Sequence, residues 1–306
     1  MKIEYRGWPN CRQLANGQVE LIATADVGPR IIRFGFVGQP NVFGEIEADI
    51  GNVGGDIWRI YGGHRLWHSP EAKPRSYYPD NSPIHAEERD HALILTQDTE
   101  PTTGIQKTVE VVLDAHDNHA AVVHRLRNDN LWPVELAAWA LTVMAKDGFA
   151  IIPQPPYLSH EDCVAPSRPI VQWAYTDMSD PRWRWGREYI TLRQDPHATT
   201  PQKIGVANRE NWVAYAVNGT LFIKVFAYLA GAAYPDFGCS VEVFTNADFL
   251  ELETLGPLTK LEPGASLTYV EHWLLYPHVP VQNDDASIAA LVSPRARKAV
   301  QAAVLP

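Results

Sequence analysis

Two glutamates, Glu251 and Glu253, stand two residues apart in the stretch DFLELETLGP. In an extended chain, positions i and i+2 face the same way. Both carboxylates then share a face with Phe249 and Leu255, while Leu250, Leu252 and Thr254 take the other. Two carboxylates beside aromatic groups are the parts of an acid/base pair or of a hydroxyl-binding edge; the same pattern also describes a solvated strand face. Tyr234, Asp236 and Glu242 come shortly before and add a phenol and two more carboxylates. A second cluster, YGGHRLWHSPE (residues 61–71), brings together a glycine pair, His64, Arg65, Trp67, His68 and Glu71. There the glycines would let backbone approach a ligand closely, the histidines and Arg65 would donate to hydroxyls, and Trp67 would stack or pack behind them. The plainer alternative makes Trp67 core and the histidines surface residues. His64, His68 and His85 with Glu71 could also ligate a metal, but no HExxH motif and no helix is expected there, and no metal is assigned. Trp183 and Trp185, in SDPRWRWGREY, share one side if extended, as a stacking wall with cationic edges or as a pair packed under a loop.

Strands must position these groups. Period-two runs occur at 18–25, 30–36, 91–97, 105–113, 119–127, 134–145, 212–217, 220–228, 240–245, 249–255 and 267–275. Turn residues separate them, among them Ala15-Asn16-Gly17, Val217-Asn218-Gly219 and Glu262-Pro263-Gly264. So many strands without intervening helices predict antiparallel sheets packed face to face. Only the tail, 284–304, reads as helical: Asp284 or Asp285 caps ASIAALV, and Ser293-Pro294 caps and opens RARKAVQAA. The proline-rich 153–170 segment reads as a long loop of the functional kind. No repeat or linker divides the chain, so one domain over 1–306 is expected.

The bulk properties exclude several classes. A net charge of −10 over 306 residues argues against nucleic acid or an anionic membrane as main partner. Three scattered cysteines (Cys11, Cys163, Cys239) make neither a disulfide framework nor a structural zinc site. No apolar run has signal-peptide or membrane-spanning length, so a cytoplasmic protein is expected. No phosphate-binding glycine loop, G-x-S-x-G or Cys/His nucleophile arrangement is present.

Taken together, three segments resemble the galactose mutarotase-like superfamily, which includes the aldose 1-epimerases. LANGQVELIATADVGPRIIRFGFVGQPNVF is similar to its first hairpins. YGGHRLWHSPE is similar to its glycine-pair segment lining the sugar cleft. FLELETLGPLTKLEPGASLTYVEHWLL is similar to its closing unit, which carries the essential glutamate. The resemblance spans roughly residues 12–277. It implies a large twisted antiparallel β-sandwich with a sugar on a concave sheet face. It also implies cofactor-free interconversion of anomers by a glutamate base and a histidine acid. Carried over residue by residue, Glu253 matches the base, with Glu251 as rival, and His85 matches the histidine after the glycine-pair segment. His64 and Arg65 match cleft-lining positions; Trp67, His68, Arg89, Trp139, Tyr234, Asp236 and Glu242 complete the expected sugar-binding set.

One departure is plain. VELAAWALTVMAKDG offers Trp139, Leu141 and Thr142 where catalytic members place a middle-strand histidine, leaving His64, His68 or His85 as candidate acids. The alternatives are a non-catalytic sugar sensor, or another carbohydrate isomerase, epimerase or lyase in which Tyr234 or Lys203 joins the carboxylates. Arg59, Arg65, Arg75, Arg89, Arg182 and Arg184 would suit an anionic sugar. Neutral and anionic ligands both stay open.

Overall fold

Alternation of apolar and polar residues sets the layout. In chain order the strands are β1 (Lys2–Tyr5), β2 (Trp8–Ala15), β3 (Val19–Thr24), β4 (Arg30–Phe36), β5 (His64–Ser69), β6 (His85–Arg89), β7 (Ala92–Thr96), β8 (Ile105–Leu113), β9 (His119–Asn128), β10 (Val134–Met144) and β11 (Phe149–Pro153). They continue with β12 (Ile170–Gln172), β13 (Trp183–Trp185), β14 (Tyr189–Arg193), β15 (Gln202–Val206), β16 (Trp212–Val217), β17 (Thr220–Phe226), β18 (Val241–Thr245), β19 (Leu250–Leu255), β20 (Thr259–Leu261) and β21 (Ser266–Tyr276). The structure, a computed structural model, describes residues 1–303.

Two antiparallel sheets result. The first runs β1-β2-β3-β4-β5-β10-β19-β18-β15-β12, with β20 also paired to β10; the second runs β13-β14-β11-β16-β17-β21-β9-β8-β7-β6. This is the expected sandwich. Strands β8 and β9 show the cause: buried and less buried residues alternate strictly, so one face of each enters the core. The Asn218-Gly219 turn between β16 and β17 has both residues at positive φ (48° and 74°), which matches the right-handed twist of the flanking strands.

The main core lies between the sheets. Phe34 and Phe43, from the first sheet's side, meet Phe222 and Trp273 of the second edge-on or tilted, 5.4–6.4 Å between ring centres. A polar chain crosses this apolar layer. The Lys224 ammonium of β17 donates to Thr142 Oγ1 (2.8 Å) and pairs with Glu271 of β21 (3.2 Å). Thr142 Oγ1 meets His64 Nδ1 at 2.9 Å, and His64 Nε2 meets His124 Nε2 at 2.7 Å. His124 Nδ1 then reaches the Tyr269 carbonyl at 3.1 Å. Every member has a partner, as a buried polar group requires.

The outer face of the second sheet is covered by the tail. A distorted turn, α1 (Pro235–Gly238), precedes β18. Helices α2 (Asp285–Leu291) and α3 (Ser293–Ala302) bury Ile288, Val292, Ala296 and Ala299 against Trp212, Ile223 and Val225. Asp284 caps α2, accepting from Ser287 N. The sequence-based expectation that Ser293 caps α3 fails: Ser293 is already helical, since Ala296 N bonds back to Val292 O and the two helices follow without a break. Residue 304, where the tail was expected to end, lies outside the described residues.

Candidate functional site

The first sheet presents one face to the core and the other to a concave pocket, and the pairing register decides which side chains meet there. Trp139 of β10 lies opposite Trp67 of β5 and Leu255 of β19, and Leu141 lies between Arg65 and Glu253. Glu253 pairs with Glu242 of β18, and Glu251 with Phe244. Phe244 in turn stands beside Lys203 of β15. One register therefore lines up Arg65, Trp67, Trp139, Glu251, Glu253, Phe244 and Lys203 on one face. Trp58, Tyr77, Tyr175 and Glu71 close over them from the loops, around a cavity of about 190 Å³.

The floor of this cavity is a dry cluster of charges. Glu253 is 1% exposed; its Oε2 accepts from Trp139 Nε1 (2.8 Å) and from Lys203 Nζ (3.1 Å). Lys203 Nζ lies 2.7 Å from the fully buried Glu242 and sits over the rings of Trp139 (4.9 Å) and Trp173 (4.7 Å). Beside them Arg65 Nη1 donates to Glu251 Oε1 (2.7 Å), with its guanidinium over Trp67 (4.7 Å) and Trp58 (5.4 Å). Burial pushes the Glu253 carboxyl up, and its bonds to Lys203 and Trp139 restrain it. Burial pushes Glu242 well up despite Lys203, and the nearby Glu253 and Asp236 charges add to this. Burial works against the Lys203 ammonium, yet Glu242 and Glu253 outweigh it and hold the ammonium firmly protonated. Two carboxylates thus share one ammonium, and Glu242 lacks the indole bond that Glu253 has. Trp58 Nε1, Trp67 Nε1 and Arg65 Nε are buried with no hydrogen-bond partner among the described residues.

The sequence-derived candidates divide. Glu251, Glu253, Arg65, Trp67 and Trp139 converge here, and Glu242 lies directly behind. His64 and His68 do not, because β5 alternates: they share the core face with Leu66, opposite Arg65 and Trp67. His64 is fully buried in the inter-sheet chain; His68 faces Glu100 (3.5 Å) and Arg75 (2.8 Å). Neither is a surface residue nor a cleft residue. His85 and Arg89 are exposed on β6, the last strand of the other sheet. Tyr234 stacks on Tyr228 and accepts from Leu229 N, and Asp236 sits in α1 outside the cavity. The glycine pair serves backbone, not ligand: a Cβ on Gly62 would come 2.1 Å from Gly44 O, and one on Gly63 2.3 Å from Ile31 O. Trp183 and Trp185 stack on each other (5.2 Å) and bond to Gln202 and the Met178 carbonyl, which is the packing alternative. Among the described residues, the group with metal-ligand spacing is His64, His124 and Glu271, which shares only His64 with the His64, His68, His85 and Glu71 alternative weighed from the sequence.

Sequence reasoning missed Trp58 and Tyr175, which come from irregular segments, Tyr77, which ends a single 3-10 turn (Arg75–Tyr77), and the strand that carries Lys203. A larger cavity, about 690 Å³, lies beside α3 with Tyr276, Arg295, Lys298 and Ala299 among its lining. Among the described residues, no buried carboxylate lines it.

No protein-family model and no curated protein matches the chain. Solved structures do. The Slr1438 protein of Synechocystis sp. PCC 6803 is 10% identical over 90% of this chain and 99% of its own, with a TM-score of 0.58. A galactose mutarotase-like protein from Lactobacillus casei is 11% identical over 87% and 100%, TM-score 0.56. A galactose mutarotase related enzyme from Lactobacillus acidophilus is 8% identical over 88% and 98%, TM-score 0.53. With its two antiparallel sheets and concave pocket, the chain has the fold of the galactose mutarotase-like proteins.

Proposed function

We propose that the chain binds a sugar in the concave pocket and interconverts its anomers, with Glu253 as the base. The observation that carries this is the Glu253 carboxylate, buried on the floor of an aromatic-walled pocket and held by Trp139 and Lys203. A cavity of about 190 Å³ is below the roughly 300–1,000 Å³ of drug-sized pockets, which suits a single sugar ring rather than a long glycan. Trp58, Trp67, Trp139 and Tyr77 give the pocket an aromatic lining for the ring, with the Arg65 and Lys203 cations among them. Glu253 is favoured over Glu251 because burial raises its carboxyl above the usual carboxylate range and makes it the stronger base, while Glu251 is tied to a guanidinium. The fold shared with mutarotase-like proteins supports the reading without fixing it.

The test is NMR exchange spectroscopy between α and β anomers, with saturation-transfer binding read from the same samples. Wild type should accelerate exchange, and a folded Glu253→Gln should lose about 10²–10⁴-fold of the acceleration while still binding. Unchanged exchange in that variant removes Glu253 from the role. A second reading, a non-catalytic sugar sensor, is favoured by one observation: among the described residues, no histidine lines the pocket. Saturable binding without exchange by wild type selects it.

A further inference from the structure

The proposed reaction needs a proton donor for the ring oxygen, and none of the candidate histidines reaches the pocket. Lys203 does. Its Nζ lines the cavity 3.1 Å from the Glu253 oxygen, and the two groups come from strands separated only by β18. The anomeric hydroxyl and the ring oxygen of a pyranose hang on one carbon, two bonds apart. An acid and a base that serve both must therefore stand side by side, each within hydrogen-bond reach of its own oxygen. Lys203 and Glu253 stand that way. Glu242, 2.7 Å behind Nζ, fixes the ammonium from the buried side, and Trp139 and Trp173 fix it laterally.

On the mutarotase reading, we propose that Lys203 is the catalytic acid, taking the place of the middle-strand histidine. The step balances. The Glu253 carboxylate takes the proton of the anomeric O–H, and the freed electron pair forms the carbonyl. The bond from the anomeric carbon to the ring oxygen breaks with its pair on that oxygen, which receives a proton from Lys203 Nζ. The open-chain aldehyde then faces a neutral carboxylic acid and a neutral amine. Rotation about the bond to the next carbon presents the other carbonyl face. Ring closure returns the first proton to the new anomeric oxygen and the second to Lys203, so no proton, electron or co-reactant is consumed. The pairing also eases the transfer: once Glu253 is protonated, one of the two carboxylates that hold the Lys203 proton is gone.

The test separates proton donation from mere charge. Lys203→Arg keeps a cation between the carboxylates but carries a group that does not release its proton. Lys203→Met with Glu242→Gln removes one carboxylate along with the ammonium and leaves Glu253 its bond from Trp139. Both are assayed with the aldose that wild type exchanges best, for binding by saturation transfer and for anomeric exchange. The expected result is retained binding in at least one variant with exchange down about 10²–10⁴-fold. Exchange within tenfold of wild type in either variant overturns the assignment and leaves Glu253 and the mutarotase reading standing. Wild type that binds sugars without exchanging any overturns that reading and the role of Lys203 with it.

Discussion

Arg65 is placed by two kinds of partner at once. Its guanidinium donates to Glu251 and lies across the faces of Trp58 and Trp67, with 2% of its side chain exposed. Removing it leaves a buried carboxylate alone and takes the packing from two indoles. Arg65→Ala should therefore cost about 3–5 kcal/mol, read as a lower urea midpoint. Arg65→Lys keeps the charge but loses the planar stack, and should fall between the two. Equal midpoints for wild type and Arg65→Ala would refute the buried pairing. At this scale, the sequence discloses which residues are chemical and hides who meets whom. Glu251 and Glu253 were legible because one strand sets their spacing. The Arg65–Glu251 pair spans 186 positions, and only strand register creates it.

Strand β5 shows why some elements escape sequence reading. HRLWHS buries all six residues, with polar groups on both faces, so it lacks the polar-out alternation that marks a half-exposed strand. Each polar side chain finds its partner only after β10 and the second sheet are in place. β15 (QKIGV) is similar: five buried residues, one a lysine. By contrast β8, β9, β16 and β17 read directly, because their period-two pattern or their turn chemistry is local. What lets β5 sit so deep is the glycine pair before it. Gly63 has φ 66°, and a Cβ there would lie 2.3 Å from Ile31 O, a backbone atom that cannot swing aside. Gly63→Ala should lower stability by about 2–3 kcal/mol and weaken sugar binding by shifting Arg65 and Trp67. A variant with wild-type urea midpoint and binding would show that the strand tolerates the added methyl.

For the molecule as a whole, buried titratable groups link stability to pH. Burial lowers His64, His68, His119 and His124, most strongly His64, where the adjoining His124 and Lys224 add to it. Below pH ~6.5 these histidines take up protons in the unfolded chain and not in the folded one, so unfolding is favoured as pH falls. Glu242 and Glu253, raised mainly by burial, act in the opposite sense: they bind protons in the folded state first, and that contribution is lost as pH rises through their folded values. Four histidines outnumber two carboxylates, so the urea midpoint should drop between pH 6.5 and 5.5. A flat profile there would mean the imidazoles charge freely in place. The polar chain between the sheets carries a further consequence. A lysine at its start only donates and a carbonyl at its end only accepts, so the whole chain has one sense. His124 must carry its hydrogen on Nδ1, His64 must carry its own on Nε2, and the two rings are opposite tautomers of the same side chain. Shielded by both sheets, those two imidazole protons should exchange with solvent only when the sandwich opens, and nitrogen-edited NMR would find them as a pair of long-lived signals.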